Sequence, residues 1–145
     1  MPKHEEIRHL AYKPVQMFDL VADVRSYPDF LPWCKGARIR SQTDDLIVAD
    51  LIIGFKGFTE KFTSRVTLNR QTFRIDVIYQ DGPFKYLENH WIFKSENNGC
   101  EIDFYVDFEF KSKILQAMIG MVFNEAVHKM VNAFEIRADD LYGKT

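Results

Sequence analysis

Cysteine is almost absent from this 145-residue chain: Cys34 and Cys100 stand far apart and form no CxxC pair. That excludes a disulfide framework and a cysteine-built zinc knuckle, and fits two free thiols in a reducing compartment. No apolar run reaches the ~18 residues that a membrane-spanning helix needs. The opening MPKHEEIRHL lacks the apolar stretch of a signal peptide, so the sequence reads as that of a cytoplasmic protein. Neither sign of charge dominates: 19 Lys and Arg face 21 Asp and Glu, a net charge of −2. A dedicated DNA binder would show a basic excess or stripe, so DNA is not expected as a partner. There is no repeat, low-complexity tract, charge block or linker, and residues 1–145 read as one domain. What is plentiful is aromatic: 13 Phe, 6 Tyr and 2 Trp. Either the core is unusually full, or some of these rings line a cavity.

Residues 3–12 read as a first strand. Pro14 can open a helix, because its missing N–H is not needed in the first turn. Val15, Phe18, Leu20, Val21 and Val24 then follow a helical period to about residue 24. Pro28 and Pro32 flank an aromatic-rich stretch that can form only a short helix or tight loop. Six strand candidates follow, at 36–43, 46–55, 58–68, 73–80, 84–94 and 100–110. Turn residues such as Lys56-Gly57, Asp81-Gly82-Pro83 and Asn97-Asn98-Gly99 separate them, and such short connections imply antiparallel neighbours. From about 113 to 142 there is no proline, and Phe123, Val127, Met130, Phe134, Ala138 and Leu141 recur at helical spacing. This helix would be roughly 45 Å long. The sequence therefore predicts an α+β protein: a curved antiparallel sheet of about seven strands around a long C-terminal helix, with two short helices after the first strand.

One parity of the strands is strongly apolar. It takes in Ile47, Leu51, Ile53 and Phe55, then Phe58, Phe62, Val66 and Leu68, then Phe73, Ile75, Val77 and Tyr79. Leu87, Trp91 and Phe93 follow, and then Ile102, Phe104, Val106, Phe108 and Phe110. Alternation alone fits a solid core as well as a lined cavity. Two polar residues, Glu60 and Asn89, share the inward parity. A buried carboxylate without a partner is costly, so Glu60 either meets a polar group of a ligand, sits at an opening, or pairs with Arg65. Residues 114–122 are apolar all round: Ile114, Met118 and Met121 fall on the side that is polar further along. Such a segment is buried or touches something apolar, here a membrane or a partner subunit. Gly120 weakens the helix there, by ~1 kcal/mol relative to Ala.

Enzyme and metal motifs fall away on spacing. His4 and His9 imitate HExxH but stand five apart and on opposite faces of a strand. Gly54-Phe55-Lys56-Gly57 lacks the remainder of a phosphate loop. His90 and His128 are isolated. Tyr79, Tyr86, Tyr105 and Arg74 are acid–base candidates that no spacing selects. No metal site and no cofactor is expected.

The segment Tyr27-Pro28-Asp29-Phe30-Leu31-Pro32-Trp33-Cys34 carries a resemblance. With Gly82 to Phe93 and the closing Ala133-Phe134-Glu135-Ile136-Arg137-Ala138, the chain resembles the coenzyme-Q-binding branch of the START-like superfamily. This is also called the polyketide cyclase/dehydrase and lipid-transport superfamily. The resemblance implies a helix-grip fold and a non-enzymatic carrier or chaperone for ubiquinone or a similar isoprenoid lipid, supporting respiration and quinone synthesis. It turns the apolar parity into a lipid pocket. Phe55, Phe62, Val66, Trp91, Phe93, Phe104, Val106 and Phe108 of the sheet would face Phe123, Val127, Met130 and Phe134 of the long helix. Phe30, Leu31 and Trp33 would form a lip at the opening. Glu60 or Asn89 would meet the head group. Ile114, Met118 and Met121 would touch the inner membrane or a partner. Some members of the superfamily are ribosome-associating toxins and others aromatase/cyclase enzymes. The basic residues Arg25, Lys35, Arg38 and Arg40 suit the former, and the acidic face Glu101, Asp103, Asp107 and Glu109 opposes it.

Overall fold

A computed structural model describes residues 3–55 and 57–143, the side chain of Phe55 excepted. The chain runs β1 (Lys3–Leu10), α1 (Pro14–Ala22), a 3-10 segment (Val24–Asp29), β2 (Cys34–Gln42), β3 (Leu46–Phe55), β4 (Phe58–Asn69), β5 (Arg74–Asp81), β6 (Phe84–Glu96), β7 (Gly99–Phe110) and α2 (Lys113–Tyr142). The strands form one curved antiparallel sheet in the order β1-β7-β6-β5-β4-β3-β2. Hairpins build it from β2 to β7, and β1 returns to the free edge of β7, pairing Lys3 with Asp107 and Leu10 with Cys100.

The expected alternation holds along β7, where Cys100, Ile102, Phe104 and Val106 are buried between half-buried neighbours. It breaks at the start of β6. Phe84 has the outward parity of that strand, yet it is buried. An irregularity between Phe84 and Tyr86 adds a residue to the ladder and turns Phe84 inward. Gly82, at φ +143, makes that turn, and a Cβ there would lie 2.5 Å from the Cβ of Phe62.

α1 starts at Pro14, and the Gln16 side chain accepts a hydrogen bond from the Lys13 N–H. It buries Met17, Phe18, Leu20 and Val21 against one end of the sheet, where the Phe18 ring meets Phe73 and Phe93 edge-on. α2 is capped by Ser112, whose hydroxyl accepts from the Leu115 N–H at 3.2 Å. Its buried stripe is Leu115, Phe123, Ala126, Val127, Val131, Phe134 and Ala138. Leu141, expected on that stripe, is 51% exposed. Tyr142 turns inward instead and donates its hydroxyl to the Gln16 carbonyl. The stripe drifts around a straight helix, so one more turn hands the inward place to the next residue.

Polar contacts fix α2 to the edge strand. Arg8 donates to Asn132 at 2.8 Å and to Glu135 at 3.0 Å, and its Nε donates to Glu6 at 2.6 Å. A ring nitrogen of His4 lies 2.8 Å from the other Glu6 oxygen. Burial alone would raise the Glu6 pKa, but the hydrogen bonds from His4 and Arg8 and the charge of Arg8 outweigh it and hold it below the ordinary carboxylate value. A depressed carboxylate stabilises the fold above its unfolded pKa and loses that contribution as pH falls through the folded one. Glu6→Gln should therefore cost about 1.5–3 kcal/mol near neutral pH. The difference from wild type should shrink progressively below ~pH 4.3. Urea denaturation of both proteins from pH 7 down to pH 3.5 checks this; a gap constant with pH would refute it.

Candidate functional site

Covering the concave face of the sheet with α2 leaves an apolar cavity of about 270 Å3. The floor is Leu51 and Ile53 of β3, Phe58, Phe62 and Val66 of β4, and Val77 of β5. It continues through Phe84, Leu87 and Trp91 of β6 and Val106, Phe108 and Phe110 of β7. The roof is Leu115, Ile119, Phe123, Ala126, Val127, Met130 and Phe134 of α2. Val24, Tyr27, Leu31, Trp33 and Cys34 close one side.

Of the residues expected to hold a lipid, Leu31, Trp33, Phe62, Val66, Trp91, Val106, Phe108, Phe123, Val127, Met130 and Phe134 come together on this wall. Three others lie elsewhere. Phe93 and Phe104 are only 2% and 1% exposed, but they belong to the solid end of the core: Phe93 packs on Phe18, and Phe104 on Trp91 and His4. Phe30 sits behind the wall, its ring 5.2 Å from that of Phe134 and 5.2 Å from the Arg137 guanidinium carbon. The side chain of Phe55 lies outside the described residues.

Several wall residues escape sequence reasoning. Phe84 does so because of its irregular register. Leu115 and Ile119 do so because their segment is apolar all round; stepping back from Phe123 by fours would have found them. The outer side of the same segment is open to solvent, with Ile114 and Met121 exposed and Met118 half-buried.

Trp33 ties the closing segment to the roof. Its indole N–H donates to the Ala126 carbonyl at 3.4 Å, and its own carbonyl accepts from the Gly54 N–H at 2.9 Å. Tyr27 donates its hydroxyl to the Val21 carbonyl, and burial raises its pKa. Burial likewise raises the Cys34 thiol, and takes Cys100 up to about 11, so both stay protonated and unreactive at neutral pH.

Glu60 and Asn89 both line the cavity. Glu60 lies opposite Ile53 near the β3–β4 hairpin, beside Phe58, which is 36% exposed, and so at the opening. Arg65 is exposed and makes no ion pair with it among the described residues; five positions apart, the two occupy opposite faces of β4. Asn89 is fixed by donating its amide N–H to the Tyr105 carbonyl at 2.8 Å.

The acid–base candidates do not converge on the cavity. Arg74 pairs with Asp76, and Tyr86 and Tyr105 bond to Asp107 on the outer face. Tyr79 accepts from the Phe84 N–H. At the sheet's outer edge, ligand atoms of His9, Glu96 and Glu101 fall within 4.8 Å of one another. His9 and Glu96 already bond to each other at 2.8 Å, and Lys94 lies 3.7 Å from Glu101.

Residues 10–135 match the family model described as polyketide cyclase / dehydrase and lipid transport. The chain belongs to this family. Among its relatives, a ribosome association toxin, RatA, of Rickettsia prowazekii is 41% identical over 97% of this chain and 99% of its own length. A mitochondrial coenzyme Q-binding protein, COQ10 homolog B of Xenopus laevis, is 33% identical over 98% of this chain and 60% of its own. The solution structure of an 18 kDa protein of Caulobacter crescentus superposes with a TM-score of 0.80 at 37% identity, covering 99% of this chain and 100% of that one.

Trp33 is half-buried and Trp91 is buried on the cavity floor. Trp91→Ala should cost ~3–5 kcal/mol. Trp33→Ala should cost clearly less and open the cavity, which equilibrium unfolding with accessibility to an apolar dye would register. Equal losses would place Trp33 in the core.

Proposed function

We propose that this protein binds ubiquinone or a related isoprenoid lipid in the cavity and acts as its carrier or chaperone, supporting respiration and quinone synthesis. The observation that carries the reading is the wall itself, apolar on nearly every side with a few polar groups. That composition suits a hydrophobic guest. A volume of about 270 Å3 lies just below the ~300–1,000 Å3 of typical ligand pockets. It suits a ring and the start of its chain. The likeness to a coenzyme Q-binding protein adds support. A binding role is favoured over catalysis because the titratable side chains on the wall are Glu60, Tyr27 and Cys34, and the last two donate to backbone carbonyls.

The segment that roofs the cavity with Leu115 and Ile119 turns Ile114, Met118 and Met121 outward. No helix among the described residues is long and apolar enough to cross a membrane. In this reading the segment lies on the inner membrane, where the lipid enters and leaves, while the protein stays peripheral on the cytoplasmic side. Protein purified under native conditions should yield an isoprenoid quinone to mass spectrometry of its organic extract. A short-chain quinone at a hundredfold excess over Kd should add about 2.7 kcal/mol of stability. Met118→Asp combined with Met121→Asp should leave the fold intact and slow quinone transfer from liposomes. An extract free of quinone and an unmoved melting temperature would sink the carrier reading.

The near-full-length identity to a ribosome association toxin favours a second reading, interference with translation. On the convex face Arg38, Lys61 and Arg65 are exposed, whereas Arg40 is paired with the buried Asp50 at 2.9 Å. Phosphate contacts in that reading would fall to these three and to Arg25 and Lys35, which are exposed as well. Co-sedimentation with ribosomal subunits should then be salt-sensitive and lost in Arg38→Glu with Arg65→Glu. No co-sedimentation at low salt would dispose of this reading.

A further inference from the structure

The hydrogen-bonding groups of the cavity wall are unevenly committed. Its donors are largely spent on backbone carbonyls: Trp33 Nε1 on Ala126, the Tyr27 hydroxyl on Val21, Cys34 Sγ on Gly36, and Asn89 Nδ2 on Tyr105. The acceptors are not. Among the described residues no hydrogen bond or ion pair engages the Glu60 carboxylate or the Asn89 Oδ1. Only the Ser64 hydroxyl can turn either way.

We infer that the cavity selects a ligand whose polar end donates a hydrogen bond, a phenol or hydroquinone, and that Glu60 at the opening receives its hydroxyl. Applied to the carrier reading above, on which it rests, this means that the quinol binds in preference to the quinone. A quinone carbonyl is acceptor-only, as is an ionised carboxylate. Setting one against the other strips both of water and returns no bond. A ring hydroxyl instead gives a charge-assisted hydrogen bond, about twice as strong as a neutral one. Asn89 cannot share the same head. It lies in the row Val66–Val77–Asn89, and Glu60 stands six residues from Val66 along β4, roughly 20 Å at ~3.4 Å per residue. One ring reaches one of them, and the charged group is the stronger acceptor. The polar end therefore sits at the opening and the apolar part extends inward.

Trp33 and Trp91 both line the cavity, so tryptophan fluorescence reports occupancy. Decylubiquinol, kept reduced without oxygen, should bind wild type tenfold or more tighter than decylubiquinone. 4-Nonylphenol should exceed 4-nonylanisole likewise, with no redox chemistry involved. Glu60→Gln keeps the shape and adds a donor, so both ratios should fall towards one while the melting temperature of the free protein changes little. Equal affinities within each pair for wild type, or ratios unchanged by Glu60→Gln, would overturn the inference and leave the carrier reading standing. Binding of none of the four probes would overturn both.

Discussion

The structure depends on a mismatch of widths. Seven strands with six gaps of ~4.8 Å make a sheet about 29 Å across, whereas a helix with its side chains is ~10–12 Å. The sheet's concave face is apolar from β3 to β7 and must be covered, and α2 alone cannot cover it. α1 fills one end with Met17, Phe18 and Val21. At the other end Phe62, Phe84, Phe110 and Leu115 make a second small core. The cavity is what neither filling reaches, and the segment from Val24 to Cys34 closes its side. The helix-grip arrangement thus turns an incomplete cover into a cavity.

The anchoring of α2 follows the same division. Its C-terminal half is tied down by polar contacts: Arg8 with Asn132 and Glu135, the Tyr12 hydroxyl on Asp139, and Tyr142 on the Gln16 carbonyl. Its first turn is held by Ser112 and by the Gln116 side chain, which accepts from the Phe110 N–H at 2.8 Å. Between these fastenings lies the stretch from Ala117 to Val122, with Gly120 within it and Met121 86% exposed. Glycine costs a helix ~1 kcal/mol relative to Ala. The least tethered part of the roof is therefore also the part with apolar side chains on both sides.

Much of this was legible in the sequence because two periods carry it. The alternation Ile102, Phe104, Val106, Phe108 marks β7 and its inward face, and the proline-free run after residue 112 marks α2. Turn chemistry at Asp81-Gly82 and Asn98-Gly99 separates the strands. Position along a strand was not legible. Phe104 and Val106 share a parity, yet one packs in solid core and the other faces the cavity, because only the tertiary placement of α1 decides where the filling ends. Phe84 was hidden by an irregular register, and Leu141 by the slow drift of the buried stripe. Glu60 and Asn89 stood out because polar residues interrupt an apolar parity. The commitment of Asn89 to Tyr105 needed the register of β6 on β7.

An unfilled apolar space is costly. At roughly 24 cal/mol per Å3, a cavity of about 270 Å3 forgoes some 6 kcal/mol of packing. That is comparable to the whole stability of many domains, about 5–15 kcal/mol. A chain with 21 aromatic residues has ample volume to close such a space. Substituting larger side chains for Val66, Val77 and Val106 on the floor would fill much of it. Keeping small residues there beside Phe62, Trp91 and Phe108 holds the space open at the expense of the empty state. A guest that fills it restores lost contacts to floor and roof together. The free energy that the fold leaves unused is then available as binding energy.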